Sequence, residues 1–296
     1  MTQPKRLSLY DRVAEETAGV VIRRYSTSFG LASRLLTPEV RRHIENIYAL
    51  VRVADEIVDG GAVEAGVAPD AVAQLLDAFE RETDAAMTLG YSTNLVIHAF
   101  ALTARSTGFG PELTRPFFAS MRADLSEIEH DSESFDLYVY GSAEVVGLMC
   151  LKAFLVGVTH TETDAAALVH GARRLGAAFQ KVNFLRDLAA DYSELGRSYF
   201  PDVDVATFTE ADKVRLLDDI DADLAASARV IPMLPASSRR AVALAQGLFA
   251  ELSNRLRATP ARELLNSRVR VPNPVKLRIA AVAASGRIPN LPKGTA

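Results

Sequence analysis

Residues 37–60 read TPEVRRHIENIYALVRVADEIVDG, and their spacing decides the class of fold. Thr37 as N-cap, Pro38 at the first helical position and Glu39 in the first turn are helix start signals, and Gly60-Gly61 ends the segment. Val40, Ile44, Ile47, Val51 and Val58 form an apolar stripe. At about 100° per residue Asp55 falls inside that stripe, while Tyr48, Arg52 and Asp59 line one edge. The aspartates therefore face inward, whereas a solvated acidic pair would face the other way. Four residues apart, their Cβ atoms stand roughly 5–6 Å from each other, and two unpaired charges at that spacing repel by a few tenths of a kcal/mol.

The stretch Asp187-Leu188-Ala189-Ala190-Asp191 repeats this spacing in a helix expected over 164–192. Gln180, Asn183, Asp187 and Asp191 follow at steps of three, four and four. They make a polar line beside an apolar face of Leu168, Ala172, Leu175, Phe179 and Val182. Oxygen ligands with no His or Cys nearby suit Mg²⁺, or Mn²⁺ in its place. Mg²⁺ is usually held by one or two carboxylates plus substrate phosphates. The reading is a metal-dependent diphosphate enzyme. Gly171 and Gly176 each weaken this helix by about 1 kcal/mol relative to Ala, which is understood if another helix or a ligand comes close.

Several neighbours carry two readings. Arg52 and Arg186 are salt-bridge partners of little worth at a surface, or phosphate ligands. Tyr48, Tyr138, Tyr140, Phe179, Tyr199 and Phe29 are core packing, or ring faces that attract a carbocation. The small polar elbow Tyr25-Ser26-Thr27-Ser28-Phe29-Gly30 can offer hydroxyls and backbone N–H groups to an anion.

Apolar residues recur at helical spacing along the rest of the chain, with helices expected over 9–24, 71–89, 94–106, 112–128, 136–158, 210–230, 238–257 and 274–285. The segment beginning Tyr138-Val139-Tyr140-Gly141-Ser142 is apolar around its circumference and is expected to run through the middle of a bundle. The class is all-α, and without internal repeats or linkers residues 1–296 are expected to form a single domain. An apolar fraction of 49% supplies its core.

Net charge is −4, with lysines and arginines scattered, which excludes the basic stripe of a nucleic-acid partner. Cys150, the chain's single cysteine, reads as a small core residue and fits a reducing cytoplasm. Charges within the first twenty residues exclude a secretory signal, and the apolar run 145–158, broken by Lys152, is too short for a bilayer, which needs about 20 residues. A cytoplasmic protein, soluble or peripheral, is expected. The basic amphipathic run 275–279 reads as a membrane-surface contact or as a plain bundle helix. The histidines lack metal-ligand spacing, and no G-x-S-x-G or P-loop pattern occurs, which removes hydrolase and nucleotide-kinase readings.

With these stretches in hand, the chain resembles the squalene/phytoene synthases, and among them bacterial phytoene synthases of actinobacterial type. The resemblance is carried by 25–29, 47–60, 138–141 and the run from Gly176 to Tyr199-Phe200-Pro201, in family order. It implies the all-α isoprenoid synthase fold with a central cavity, and head-to-head condensation of two prenyl diphosphates. Asp55, Asp59, Asn183, Asp187 and Asp191 would bind Mg²⁺ and diphosphate. Tyr48, Arg52, Ser26, Thr27, Ser28 and Phe29 match positions that hold a diphosphate, and Gln180, Arg186, Tyr138, Tyr140, Tyr199 and Arg268 match further pocket positions. Phytoene synthases need no NADPH, and the C-terminal anchor usual in eukaryotic squalene synthases is not expected. Glu56 stands where many relatives carry Asp, a departure that also occurs in phytoene synthases. Geranylgeranyl diphosphate is the expected substrate. Farnesyl diphosphate and a non-catalytic binding protein of the same fold stay open.

Overall fold

The computed structural model describes residues 8–126, 129–195 and 197–289; the side chains of 191 and 193–195 are not described, and the expected helix end at 127–128 lies outside these residues. The elements are α1 (Leu9–Tyr25), α2 (Thr27–Ser33), α3 (Pro38–Val58), α4 (Gly61–Glu64), α5 (Pro69–Leu89), α6 (Leu95–Thr107) and α7 (Pro111–Ala123). There follow α8 (Ser132–Val139), a π-helical turn (Tyr140–Glu144), α9 (Val145–Phe154), α10 (Glu162–Leu195), α11 (Glu210–Val230), α12 (Ala236–Ala258), α13 (Ala261–Leu264) and α14 (Asn273–Ala284). Helix dominates the described residues, with an isolated parallel bridge between Glu129 and Ser198.

The expected elbow at 25–30 is narrower than the sequence suggested. Ser26 alone is extended, with φ −134° and ψ 115°, and its hydroxyl accepts the Phe29 N–H at 3.0 Å. A serine that ends one helix and caps the next leaves Thr27, Ser28 and Phe29 in the first turn of α2. Helix α3 begins at Pro38 as expected. Thr37 holds the N-cap position through its backbone, without a side-chain bond, and Asp59 is the C-cap before Gly60 at φ +100°.

The apolar segment expected at 136–158 is one continuous helix, Ser132–Phe154, interrupted by the π turn. Its 23 residues are long and apolar enough to cross a bilayer by length and composition alone. Half of its most apolar window is buried, and Tyr138, Ser142, Val146 and Cys150 line an internal cavity, so it serves as the axis of a bundle. The π turn is seated where Gly141 meets α7. A Cβ there would lie 2.2 Å from the Pro116 carbonyl oxygen and 2.1 Å from Ser120 Oγ.

The glycines that weaken α10 are explained by a helix crossing. A Cβ on Gly176 would stand 2.5 Å from the Ala143 carbonyl oxygen, and one on Gly147 would stand 2.6 Å from that of Ala172. Gly171 faces Val230 in the same tight manner. Around these contacts lie two large apolar cores, one centred on Ile47, Leu50, Phe100, Phe117 and Met149, the other on Val182, Leu185, Leu217, Ile220 and Leu256. The cavity lies between them.

Alanine normally favours a helix interior by about 1 kcal/mol over glycine. Gly176→Ala is expected to do the reverse, lowering the unfolding free energy by about 1–3 kcal/mol, because the methyl group overpacks a backbone contact that cannot yield. Urea denaturation of the variant beside the parent checks the sign.

Candidate active site

The cavity, about 1050 Å³, is lined from Ile22 to Lys276. Its two ends differ in chemistry. One holds the acidic motifs and a ring of cations; the other is closed by Leu151, Phe154, Leu168, Leu234 and Val242.

From α3 and its C-cap come Tyr48, Arg52, Asp55 and Asp59, and from α10 come Gln180, Asn183, Arg186 and Asp187. Ser26, Thr27, Ser28, Phe29, Tyr138, Tyr199 and Arg268 also line it. Tyr140 does not. Two positions past Tyr138, and so about 200° round the helix, it packs its ring under Arg173, whose guanidinium carbon stands 5.1 Å from the ring centre. Asp191 belongs to α10, but its side chain lies outside the described residues.

The unpaired charge expected at the first motif is concentrated on Asp55. Burial pushes its carboxyl up to about 8, Asp59 adds to the effect, and Arg52, 3.9 Å away, opposes it. Arg52 gives its other Nη to Glu56, and its buried Nε–H has no partner among the described residues, which leaves a donor for an anion. Its guanidinium also stands 4.7 Å over the Tyr25 ring.

Asp59 is matched from far along the chain. Arg197, buried between α3 and α7, donates to Asp59 Oδ1 at 3.2 Å, to the Val58 carbonyl at 3.3 Å and to the Asp124 carbonyl at 2.8 Å. The same guanidinium donates to the Tyr199 hydroxyl at 3.1 Å. Asp124, the C-cap of α7, accepts from the Tyr138 hydroxyl at 2.8 and 2.9 Å and from the Tyr199 hydroxyl at 3.3 Å. Burial lifts its carboxyl to about 6, against the pull of Arg197 and the Tyr138 bond. Asp124 and Arg197 were not among the residues expected from sequence. No motif marks either position, and chain folding alone brings them to the cavity.

On the opposite wall Asp187 is bonded by Arg186 at 3.0 Å and by Arg268 at 2.8 Å. Arg268 and Arg270 come from the irregular segment between α13 and α14, where Val269 and Val271 alternate with them and pack on the second core. Lys276, in α14, donates to Thr27 Oγ1 at 3.0 Å. The run 275–279 thus takes part in a bundle helix.

Among the described residues no three acidic, His or Cys side chains gather closely enough to hold a cation, and of the expected set Asp55, Asp59, Asn183, Asp187 and Asp191 the side chain of Asp191 lies outside them. Arginines are bonded to Asp59 and Asp187. The donor set still suits Mg²⁺, which takes few protein carboxylates and completes its shell with phosphate oxygens. Asp55, crowded and short of positive charge, fits that use.

With this geometry in view, the chain belongs to the squalene/phytoene synthase family, whose sequence model matches residues 22–274. It is similar to phytoene synthase 3, chloroplastic, of Zea mays, at 32% identity over 207 residues covering 68% of this chain. The chain spans about half the length of such plant relatives, 46% in that case. It is also similar to phytoene synthase of Mycobacterium tuberculosis, at 26% identity over 287 residues, covering 90% of this chain and 89% of the relative. In fold it superposes on a crystal structure of a dehydrosqualene synthase in complex with ligand, with a TM-score of 0.76 and 21% identity over 93% of this chain and 97% of that one.

Asp55 makes stability depend on pH. The folded carboxyl keeps its proton to about 8, whereas its ordinary value is 3.8. Between those limits the folded state binds more protons than the unfolded chain, so stability falls as pH rises through this window. Denaturation midpoints from pH 5 to 8 are expected to decline in the parent and to flatten in Asp55→Asn.

Proposed function

We propose that the chain catalyses the Mg²⁺-dependent head-to-head condensation of two geranylgeranyl diphosphates to phytoene through a cyclopropyl diphosphate, a step of carotenoid biosynthesis. Residues 1–296 act as one unit in this reading, since the cavity wall draws on both halves of the chain. The work is cytoplasmic, with peripheral membrane contact on release of the apolar product, and NADPH is not required.

The observation that carries the reading is the length of the cavity below its charged end. Asp187 and Leu168 both line it and lie nineteen residues apart on α10, about 28 Å along the axis. A saturated-carbon zigzag advances about 1.25 Å per bond, so a twenty-carbon prenyl tail with sixteen carbons in line extends about 20 Å and a fifteen-carbon tail about 15 Å. With a diphosphate against the Asp187 arginines, the longer tail reaches Leu168. The volume is also at the upper edge of the roughly 300–1,000 Å³ range of small-molecule pockets, as two such tails require.

Each residue then has a physical task. Asp55, Asp59, Asn183 and Asp187, with Asp191, would hold Mg²⁺, which when bound supplies positive charge to the departing diphosphate. Arg52, Arg186, Arg268 and Lys276 meet the same charge through hydrogen bonds that strengthen as it develops. Ser26, Thr27 and Ser28 offer hydroxyls and N–H groups beside them, and Gln180 lines the same wall. Below this rim Phe29 stacks near Phe179 and Phe249, whose rings are 3.9 Å apart, with Tyr48 6.2 Å from Phe29. Their faces attract an allylic cation, worth about 2 kcal/mol or more when water is excluded. The double bond of the second substrate attacks the first cation, and the resulting cation loses a proton as the ring closes to the cyclopropyl diphosphate; this releases its own diphosphate, rearranges and loses a second proton.

Purified protein given Mg²⁺ and geranylgeranyl diphosphate without NADPH is expected to form a forty-carbon hydrocarbon, identified by mass, and to stop on chelation. A thirty-carbon hydrocarbon from farnesyl diphosphate in its place would keep the chemistry and overturn the substrate.

Asp55→Asn and Asp187→Asn are expected to abolish turnover while the circular dichroism spectrum is unchanged, since Asn matches the shape of the Asp55 carboxyl, already protonated below about 8, and the arginines on Asp187 keep access to solvent. Near-normal turnover in either variant would count against the metal assignment.

A further inference from the structure

We propose that Asp124 is a positioning residue for the cation chemistry: from the end of α7 it holds the phenols of Tyr138 and Tyr199 and, through Arg197, ties them to the first acidic motif, so that rings and not mobile hydroxyls face the reacting carbon chain. The inference rests on the reaction proposed above and adds a residue to it.

Asp124 is poorly placed for a purely structural role. It is an acid at the C-terminal end of a helix, where the helix dipole disfavours negative charge, and its side chain is only 5% exposed. A buried carboxylate persists only when it is paired and hydrogen-bonded. Here all the pairing points to the cavity. The Tyr138 hydroxyl donates to both carboxylate oxygens, at 2.8 and 2.9 Å. The Tyr199 hydroxyl donates to Oδ1 at 3.3 Å while it accepts from Arg197 at 3.1 Å, and that guanidinium stands 3.7 Å from Asp124 Oδ1.

Both phenol oxygens are thus drawn to one carboxylate. The rings stay behind as an aromatic surface. Tyr199 stacks on Phe184 at 3.9 Å and 10°, and Tyr138 stands 5.4 Å from Tyr199 and 5.9 Å from Phe184. Asp124, Tyr138, Phe184, Arg197 and Tyr199 all line the cavity. A phenol that donates to a carboxylate carries more electron density in its ring, which strengthens its attraction for a cation. A hydroxyl free to turn would instead bring a bound water to the cation, whose oxygen would bond to it and lose a proton to give an alcohol.

The test compares the parent, Asp124→Asn, Tyr138→Phe and the double variant, each as full chain with Mg²⁺ and geranylgeranyl diphosphate. Asp124→Asn is expected to lower kcat on the order of 10- to 100-fold, as misplaced groups do, with little change in KM, and to raise the share of prenyl alcohol among products. The double variant is expected to be no worse than the weaker single variant, because both substitutions break the same tie. A rise in KM at unchanged kcat, or independent effects that multiply, would overturn the role. Urea unfolding of the same four proteins reads the tie without substrate, and absence of coupling there overturns it whether or not the fold tolerates Asn. A parent that makes no hydrocarbon from either diphosphate overturns the reaction itself, and the unfolding cycle then still decides whether Asp124 holds the phenols.

Discussion

Negative charge brought together inside an apolar cavity is the constraint on which this structure depends. Asp55, Asp59, Asp124 and Asp187 face one space from three helices, where Coulomb repulsion is weakly screened. Most of that charge is met by arginines delivered from other parts of the chain. Arg197 serves Asp59 and Asp124 together, and Arg268 joins Arg186 on Asp187. Asp55 is met least well, with Arg52 at 3.9 Å, and its carboxyl stays protonated to about 8. The wall that results can take a cation at one point and an anion at several, which is what a metal diphosphate requires.

The packing of the helices gives this charged rim an apolar shaft. Small residues allow α9 and α10 to cross with their backbones in contact at Gly147 and Gly176. The two helices stay packed at Leu151 and Leu168, and the cavity is lined by Leu151, Phe154 and Leu168 at one end and by Asn183 and Asp187 at the other. A polar head and a long tail are accommodated in one cavity because α10 is 34 residues long and changes character along its length. The π turn adds a local correction. It seats Gly141 on α7, while Tyr138 and Tyr140, on opposite sides of the helix, meet the cavity and Arg173.

The features legible in sequence were those that follow from helical period. The inward face of α3, the polar line on α10 and the need for close approach at Gly171 and Gly176 all come from spacing on a single helix. Residues whose role depends on a partner far along the chain were not legible. Arg197 lies 138 positions from Asp59, and Asp124 sits in a turn with no pattern to distinguish it. Tyr140 lies off the cavity for a reason the helical period itself contains: two positions beyond Tyr138, it stands about 200° round the helix. At Ser26 the sequence does not separate an elbow from a helix cap, because Ser and Thr favour both, and only the hydrogen bond to Phe29 distinguishes them.

By itself, then, the sequence determined an all-α chain with two inward acidic faces and an apolar length to set between them, since the 3.6-residue period dictates which side chains share a face. Tertiary structure alone decided which charges cancel, which carboxyl keeps its proton, and that one buried aspartate gathers two phenols and an arginine. Those outcomes depend on distances across the cavity, and the spacing of residues along one helix carries no information about what stands on the other side.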